Sequence, residues 1–307
     1  MTPTEGESIL LLGGAGFMGS ALRARLRKRG FHLHVVTRGN EVRDANGDTI
    51  YDGGIENTDL LRRLVPKCAT VVHLASATTP GLSGRAPSLE ATLNIGPTLG
   101  LIEILQQHPQ VRVIYISSGG TVYGNPEYRL VPEIAQIKPV SFYGAGKIAV
   151  EVFLRCLEQN AGNPVAILRP SNLYGPGQPL YRGFGVIRTM LQHLRDRSIM
   201  TIWGDGSVVR DFIYIDDMIS AMERVLADPS ATGTFNVGSG VGNSLNDLIR
   251  TIEMVCGSQL QIRYDSSRSI DVQRVVLDIT KIQSKYDWTP AISLSEGVAR
   301  TWKWLCA

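Results

Sequence analysis

The chain is poor in cysteine and lacks any long apolar run, and each shortage removes a class of protein. Its 307 residues include four cysteines, Cys68, Cys156, Cys256 and Cys306. None belongs to a CxxC or CxxH pair, so neither a zinc site nor a disulfide framework is expected. Apolar stretches end after four or five residues, against the roughly 20 needed to span a bilayer. The segment from Met1 to Ser8 is polar and acidic, without the basic start of a secretory signal. A cytoplasmic protein that stays off membranes is the expectation. Surplus charge is missing too, since 31 basic and 28 acidic residues are interspersed and sum to +3. With no basic block, nucleic acid is a poor partner, although a few placed arginines still suit a small anion.

What is present is a globular composition, 43% hydrophobic and 19% charged, which excludes a disordered chain. The length exceeds one ordinary core, so one large α/β unit or two lobes are expected. Strands are expected at Ser8–Leu12, His32–Thr37, Thr70–Leu74, Val111–Ser117 and Val165–Arg169. Helices are expected at Ser20–Arg29, Leu60–Val65, Leu89–Gln107 and in the latter part of Val140–Asn160. Strand–helix alternation implies a parallel sheet covered on both faces. After Arg169, prolines at 170, 176 and 179 and glycines at 175 and 177 suit a lobe boundary. Beyond it, helices Val186–Arg197, Asp217–Ala227 and Leu245–Cys256 mix with strands Met200–Trp203, Thr234–Val237 and Gln261–Tyr264.

The strongest local signal is Gly13-Gly14-Ala15-Gly16-Phe17-Met18-Gly19, between a strand and a helix. Gly13 permits a tight turn, Gly16 lets backbone approach a pyrophosphate, and Gly19 lets helix and strand pack closely. A dinucleotide is the expected ligand. The Asp or Glu that meets the ribose of NAD about 20 residues onward is missing, because His32–Thr37 ends in Thr37-Arg38. Arg38 could pair with a 2′-phosphate, stack on adenine, or be an ordinary surface residue. The choice between NAD(H) and NADP(H) therefore stays open, with a slight lean to the latter.

Tyr143-Gly144-Ala145-Gly146-Lys147 sets Tyr and Lys four apart, on one helix face. A phenol titrating near about 10 is a weak base at neutral pH. An ammonium one turn away is expected to lower that value and make Tyr143 a general acid/base.

Six motifs now stand in order: GGAGFMG at 13–19, HLAS at 73–76, SSGGTVYG at 117–124, YGAGK at 143–147, RPSNLYGPGQ at 169–178 and WGDGSVVRDFIYIDD at 203–217. Over residues 8–304 the chain resembles the extended short-chain dehydrogenases/reductases of the NAD-dependent epimerase/dehydratase family, which act on nucleotide sugars. That resemblance implies a Rossmann-type doubly wound parallel sheet with a smaller C-terminal α/β substrate lobe. Residues 1–169 would form the dinucleotide domain and 170–307 mainly the substrate lobe, with about 208–228 returning to the first. The resemblance also implies that Gly13, Gly16, Phe17, Met18, Gly19, Thr37, Arg38, Leu74, Ala75, Ser76, Asn94 and Pro170 line the cofactor with Tyr143 and Lys147. Asn172, Trp203, Arg210 and Arg268 match positions that hold the sugar nucleotide, the arginines on its diphosphate. Trp203 could equally be core, and Arg268 an ordinary ion-pair partner. A homodimer through Leu89–Gln107 and Val150–Asn160 is implied as well.

Three departures matter. Gly119 stands where 4-epimerases of this family carry a substrate-touching Ser or Thr. If the strand continues, Ser117 and Thr121 share its side, and Thr121 is the expected catalytic hydroxyl. Gly120 and Thr121 stand where 4,6-dehydratases carry an acid pair, so elimination and C3/C5 epimerisation are disfavoured. Gly54 replaces an adenine-binding Asp, a contact that Asp52 or a backbone group could supply. The expected activity is NAD(P)-dependent epimerisation of a nucleotide sugar at C4 through a 4-keto intermediate. The alternatives are an NADPH-dependent 4-ketoreductase of a 4-keto-6-deoxy sugar nucleotide and, more distantly, a non-catalytic NAD(P)-binding scaffold.

Overall fold

The apolar runs of the first half become strands buried along almost their whole length, as a sheet covered on both faces requires. The computed structural model describes residues 7–39, 48–180, 185–266 and 272–307. In chain order come β1 (Ser8–Leu12), α1 (Phe17–Arg27), β2 (His32–Thr37), β3 (Thr49–Asp52), α2 (Thr58–Leu64), β4 (Thr70–His73) and α3 (Pro80–Arg85). A π-helical turn (Glu90–Ile95) leads into α4 (Gly96–Leu105), followed by β5 (Arg112–Ile116), α5 (Gly119–Val122), α6 (Phe142–Ala161) and β6 (Val165–Pro170). Then follow β7 (Asn172–Tyr174), α7 (Val186–Asp196), β8 (Met200–Trp203), β9 (Val209–Tyr214), α8 (Ile215–Leu226) and β10 (Gly233–Val237). The chain closes with β11 (Gly242–Ser244), α9 (Leu245–Cys256), β12 (Ile262–Asp265), β13 (Arg274–Val275), α10 (Thr280–Tyr286) and α11 (Leu294–Cys306). Among the described residues, no helix is long and apolar enough to cross a membrane.

The residues divide into two units. The first comprises Met1–Ser117, Ser141–Leu168 and Ile219–Phe235, the second Ser118–Val140, Arg169–Met218 and Asn236–Ala307. The first carries a seven-stranded sheet of order β10-β6-β5-β4-β1-β2-β3. Every pairing from β6 across to β3 is parallel. Strand order runs outward in both directions from the β1–β4 junction, the Rossmann arrangement, and ligands of such sheets bind at the carboxyl ends around that junction. The loops leaving β1 and β4 there are the glycine turn and the segment Leu74-Ala75-Ser76.

The segment returning to this unit, read from the sequence as about 208–228, is Ile219–Phe235, and side chains show what holds it. Arg25 of α1 and Arg29, two residues beyond that helix, both reach Glu223 of α8, at 3.0 and 2.9 Å. The buried Arg112 of β5 donates to the carbonyls of Val225 and Leu226 at 3.3 and 2.9 Å, and also to that of Asp228. A guanidinium with five donors thus closes the last turn of α8.

In the second unit β9 is the hub. Its first half pairs antiparallel with β11 and parallel with β13, and its second half pairs parallel with β7. Asp211 of β9, fully buried, accepts from Ser239 N and Oγ at 2.8 and 2.7 Å and from Gly240 N at 3.2 Å. It also accepts from Leu277 N at 3.3 Å, so one carboxylate gathers two separate segments onto β9. β8 and β12 form a separate two-stranded sheet.

Two sequence expectations change. The helix expected over Leu89–Gln107 opens with a π turn, where Gly96 N bonds Ala91 O. Pro97 has no N–H to continue the ordinary ladder, which favours the wider turn. The strand expected through Ser117 stops at Ile116, and Gly119–Val122 is helical.

Replacing Arg112 by Met should leave the carbonyls at the end of α8 without their donor. A loss of about 2–4 kcal/mol in unfolding free energy is expected from such a buried network. The midpoint of chemical denaturation measures it, and an unchanged midpoint would show that Arg112 does not hold the returning segment.

Candidate active site

The glycine turn is as tight as its composition suggests. Gly13 has φ +82°, and a Cβ there would lie 2.9 Å from the backbone of Ala75. A Cβ on Gly19 would lie 2.5 Å from Gly13 O, so α1 packs directly on the turn. Gly16 meets nothing nearer than 3.3 Å. It caps α1 with no side-chain hydrogen bond, and the first helical turn, which holds Phe17 and Met18, carries no acid. A helix end facing open turn, without a capping side chain, suits a pyrophosphate. By this test the residues present fit a dinucleotide.

At the end of β2, Thr37 pairs with Asp52 in register, and Arg38 follows. Arg38 is committed to Glu56: Nη2 donates to Oε2 at 2.9 Å and Nε to Oε1 at 3.2 Å. The pair holds the Glu56 carboxyl below its ordinary value. Asp52, one of the expected stand-ins for the acid missing at Gly54, instead accepts from Gly39 N at 3.2 Å.

The Tyr–Lys pair sits on α6, which Ser141 caps by accepting from Gly144 N at 3.1 Å and Gly162 ends at φ +81°. Lys147 is 8% exposed. Its Nζ donates to Ile116 O at 3.1 Å and lies 5.6 Å from the Tyr143 ring centroid and 5.2 Å from that of Tyr115. Burial draws its pKa down to about 8, against the opposing pull of Glu90 and Glu151. The charge is kept by those two carboxylates, neither of which was singled out from the sequence. Glu151 lies one turn beyond Lys147 on the same helix face, a spacing that could have disclosed it. Glu90 comes from the π turn. It accepts from Thr78 Oγ1 at 2.6 Å, Asn94 Nδ2 at 2.8 Å and Ser83. Gly146 leaves room for it, since a Cβ there would lie 2.5 Å from Glu90 Oε2.

The sequence expectation for the phenol is corrected. Burial pushes Tyr143 up to about 12, Glu90 adds to the rise, and a hydrogen bond with Ser76 offsets part of it. The ammonium lies over the ring face, so in this arrangement burial outweighs its pull. Asn94, expected at the cofactor, braces the loop after β4 by accepting from Ala77 N at 2.9 Å while donating to Glu90 and to Thr78.

In the second unit the expected hydroxyls change places. Ser117, which ends the first of the three segments of the first unit, is buried and donates to Glu151. Because the strand has ended, alternation no longer sets the direction of Thr121, which is partly exposed and makes a 3.4 Å bond to Ser118 O. Gly119 is closed to any side chain. A Cβ there would meet Leu277 Cδ1 at 2.6 Å and Arg169 O at 2.8 Å. Pro170 ends β6, and Asn172 donates to Asp211 O at 2.9 Å beside Gly120. Arg210 turns its guanidinium on the carbonyls of Val209 and Val272 at 2.9 and 2.5 Å. Trp203 ends β8 and is 42% exposed, which removes it from the core. Arg268 lies outside the described residues.

A glycine turn at the switch point of a Rossmann sheet, with a Tyr–Lys pair on a helix of the same unit, defines a short-chain dehydrogenase/reductase. The chain belongs to the NAD dependent epimerase/dehydratase family, whose profile matches residues 9–238. It is 31% identical to UDP-glucose 4-epimerase of Mycolicibacterium smegmatis over 306 residues, 95% of this chain and 96% of that one. It is 27% identical to dTDP-4-dehydro-6-deoxyglucose reductase of Escherichia coli over 302 residues, 95% of each chain. The UDP-glucose 4-epimerase of Thermotoga maritima, solved with UDP-glucose, superposes with a TM-score of 0.90 at 30% identity, covering 97% of this chain and 98% of that one.

Restoring a hydroxyl by Gly119→Ser should strain the protein rather than repair it. A stability loss of about 1–3 kcal/mol is expected from the overpacking, read as a lower thermal midpoint. The additional change Leu277→Ala should recover part of that loss, and a fully stable single variant would contradict the packing argument.

Proposed function

We propose that this protein is an NAD(P)-dependent nucleotide-sugar 4-epimerase. The observation that carries the reading is the buried Lys147, retained as a cation by two carboxylates and set over the ring of Tyr143 in the unit that bears the glycine turn. A buried ammonium with this much support is an unexpected expense for a surface pair and a normal one for a reactive site. When bound, an oxidised nicotinamide supplies a hydride acceptor and a positive charge. With that charge and Lys147 together offsetting the burial that holds the phenol at about 12, Tyr143 as phenolate would take the proton of the C4 carbinol and return it after the 4-keto sugar has turned over. Lys147 orients ribose hydroxyls and stabilises the phenolate. Gly120 and Thr121 offer no acid for elimination, which supports chemistry confined to one carbinol.

Asn172, Trp203, Arg210 and Arg268 are the proposed nucleotide-sugar contacts, and Thr121 the proposed accessory hydroxyl. Ser76, whose hydroxyl draws the phenol's pKa down against burial, is a second hydroxyl available to it. The proposed cofactor division of residues 1–169 loses 118–140 to the second unit and gains 219–235, and the rest of 170–307 is the proposed substrate division. A homodimer through α4 and α6 is supported by the exposed Val152 and Phe153 of α6. The four free cysteines accord with a reducing, cytoplasmic setting. The reductase reading draws on the Escherichia coli relative and would use the same two residues once, consuming NADPH. A scaffold has little support beside a charged lysine kept at such a site.

Purified protein mixed with UDP-, dTDP-, CDP- and GDP-sugars, with added NADPH followed by absorbance, separates these readings. Epimerisation without absorbance change is expected, whereas stoichiometric NADPH oxidation selects the reductase and no turnover the scaffold. Tyr143→Phe should abolish turnover and leave cofactor binding intact.

The pH dependence follows from Lys147. Its charge is present below about 8 and lost above, so kcat/KM should fall as pH rises through that value. Stability runs the other way. The folded pKa lies below the unfolded one, near about 10.4, so the unfolded chain binds more protons between them and stability rises with pH there. A fall in activity at pH 8–10 without unfolding therefore reports the ammonium. A flat profile would remove it from the mechanism.

A further inference from the structure

The acid that a dinucleotide fold needs near the end of β2 is absent from the sequence there, yet one is present in space. Arg38 follows β2 directly, and Gly13 N bonds Val36 O at 3.1 Å, which ties the glycine turn to the same strand. Gly53 N bonds Thr37 O at 3.0 Å and brings the turn Gly53-Gly54-Ile55-Glu56 to the same edge of the sheet. Gly54 has no side chain, and the Glu56 carboxyl fills the room left over. A Cβ on Gly54 would lie 2.2 Å from Glu56 Oε2 and 2.4 Å from Oε1. Both guanidinium bonds of Arg38 described above end on this one carboxylate.

We infer that Glu56, clamped by Arg38, is the residue that selects NAD over NADP in this protein. This rests on the reading of the glycine turn as a dinucleotide site. The carboxylate is the acceptor that a ribose 2′-hydroxyl requires, reached from a different loop. A 2′-phosphate, carrying close to two negative charges, would face that carboxylate and find the Nε/Nη2 edge of the guanidinium already engaged on it. Arg38 is thereby a positioning residue for Glu56 rather than a receptor for phosphate. The slight lean to NADP drawn from Thr37-Arg38 reverses once the partner of Arg38 is known.

The pair is half-exposed on both sides, and such pairs contribute only about 0–1 kcal/mol to folding. Substitutions here should therefore leave the fold intact, which circular dichroism and the thermal midpoint can verify. The wild type, Glu56→Gln and the double variant Arg38→Met/Glu56→Gln are equilibrated with equimolar NAD and NADP. Free nucleotide is removed, the protein denatured, and released nucleotide quantified. The wild type should release mainly NAD. Glu56→Gln frees the guanidinium and should move the ratio toward NADP at least tenfold, about 1.4 kcal/mol. The double variant should lose that gain. A wild type that retains NADP as readily as NAD, or a ratio unmoved by Glu56→Gln, overturns the assignment while leaving the cofactor site standing. Release of neither nucleotide by any of the three removes the site and the inference together.

Discussion

Keeping an ammonium charged at a nearly dry position is the constraint around which the first unit is arranged. Burial alone would discharge Lys147. Its carbonyl bond to Ile116 and the fields of Glu90 and Glu151 oppose that, and the result is a group poised near 8. Each support makes its own demand. Glu90 needs the glycine at 146 to approach α6, and three donors to satisfy its own oxygens. Asn94, one turn away in the π-helical segment, supplies one of them and holds the loop after β4 with its carbonyl oxygen. Glu151 in turn engages Ser117 at the end of β5. The YGAGK segment is thus a seat for a cation as much as a pair of reactive groups.

The hydroxyls of each unit are committed locally. Ser117 is spent on a carboxylate, and Gly119 is closed by Leu277 and the carbonyl of Arg169. Ser76 of the β4 loop donates to Thr78 O at 3.4 Å, and Thr121 keeps one weak bond of its own. In the second unit the organising group is Asp211, whose buried carboxylate ties the loop between β10 and β11 and the segment after β13 to β9. Arg210 and Asn172 flank that hub through backbone carbonyls.

Much of the fold was legible in the residues. β1, β2, β8 and α9 have the limits expected of them, and the other expected elements shift by three residues or fewer, whereas β3, α3, α5, β7, β9, β11, β13, α10 and α11 were not expected. Their signals are local: β-branched runs, a Ser cap, a Gly stop. The misses share a cause. The π turn and the early end of β5 depend on side chains and backbone from distant segments, which no window of sequence contains.

The amino-acid order by itself determined the glycine turn, the Tyr–Lys spacing, the missing hydroxyl at 119 and the absence of an acid at 120 and 121, because each is a matter of identity and interval. Tertiary structure alone decided how those groups behave. It set the phenol near 12 rather than below 10, since desolvation scales with packing from all sides. It also delivered Glu90 to Lys147 from 57 positions upstream and Glu56 to Arg38 from another loop. Electrostatics acts through distance in space, and the chain sets that distance only after it has folded.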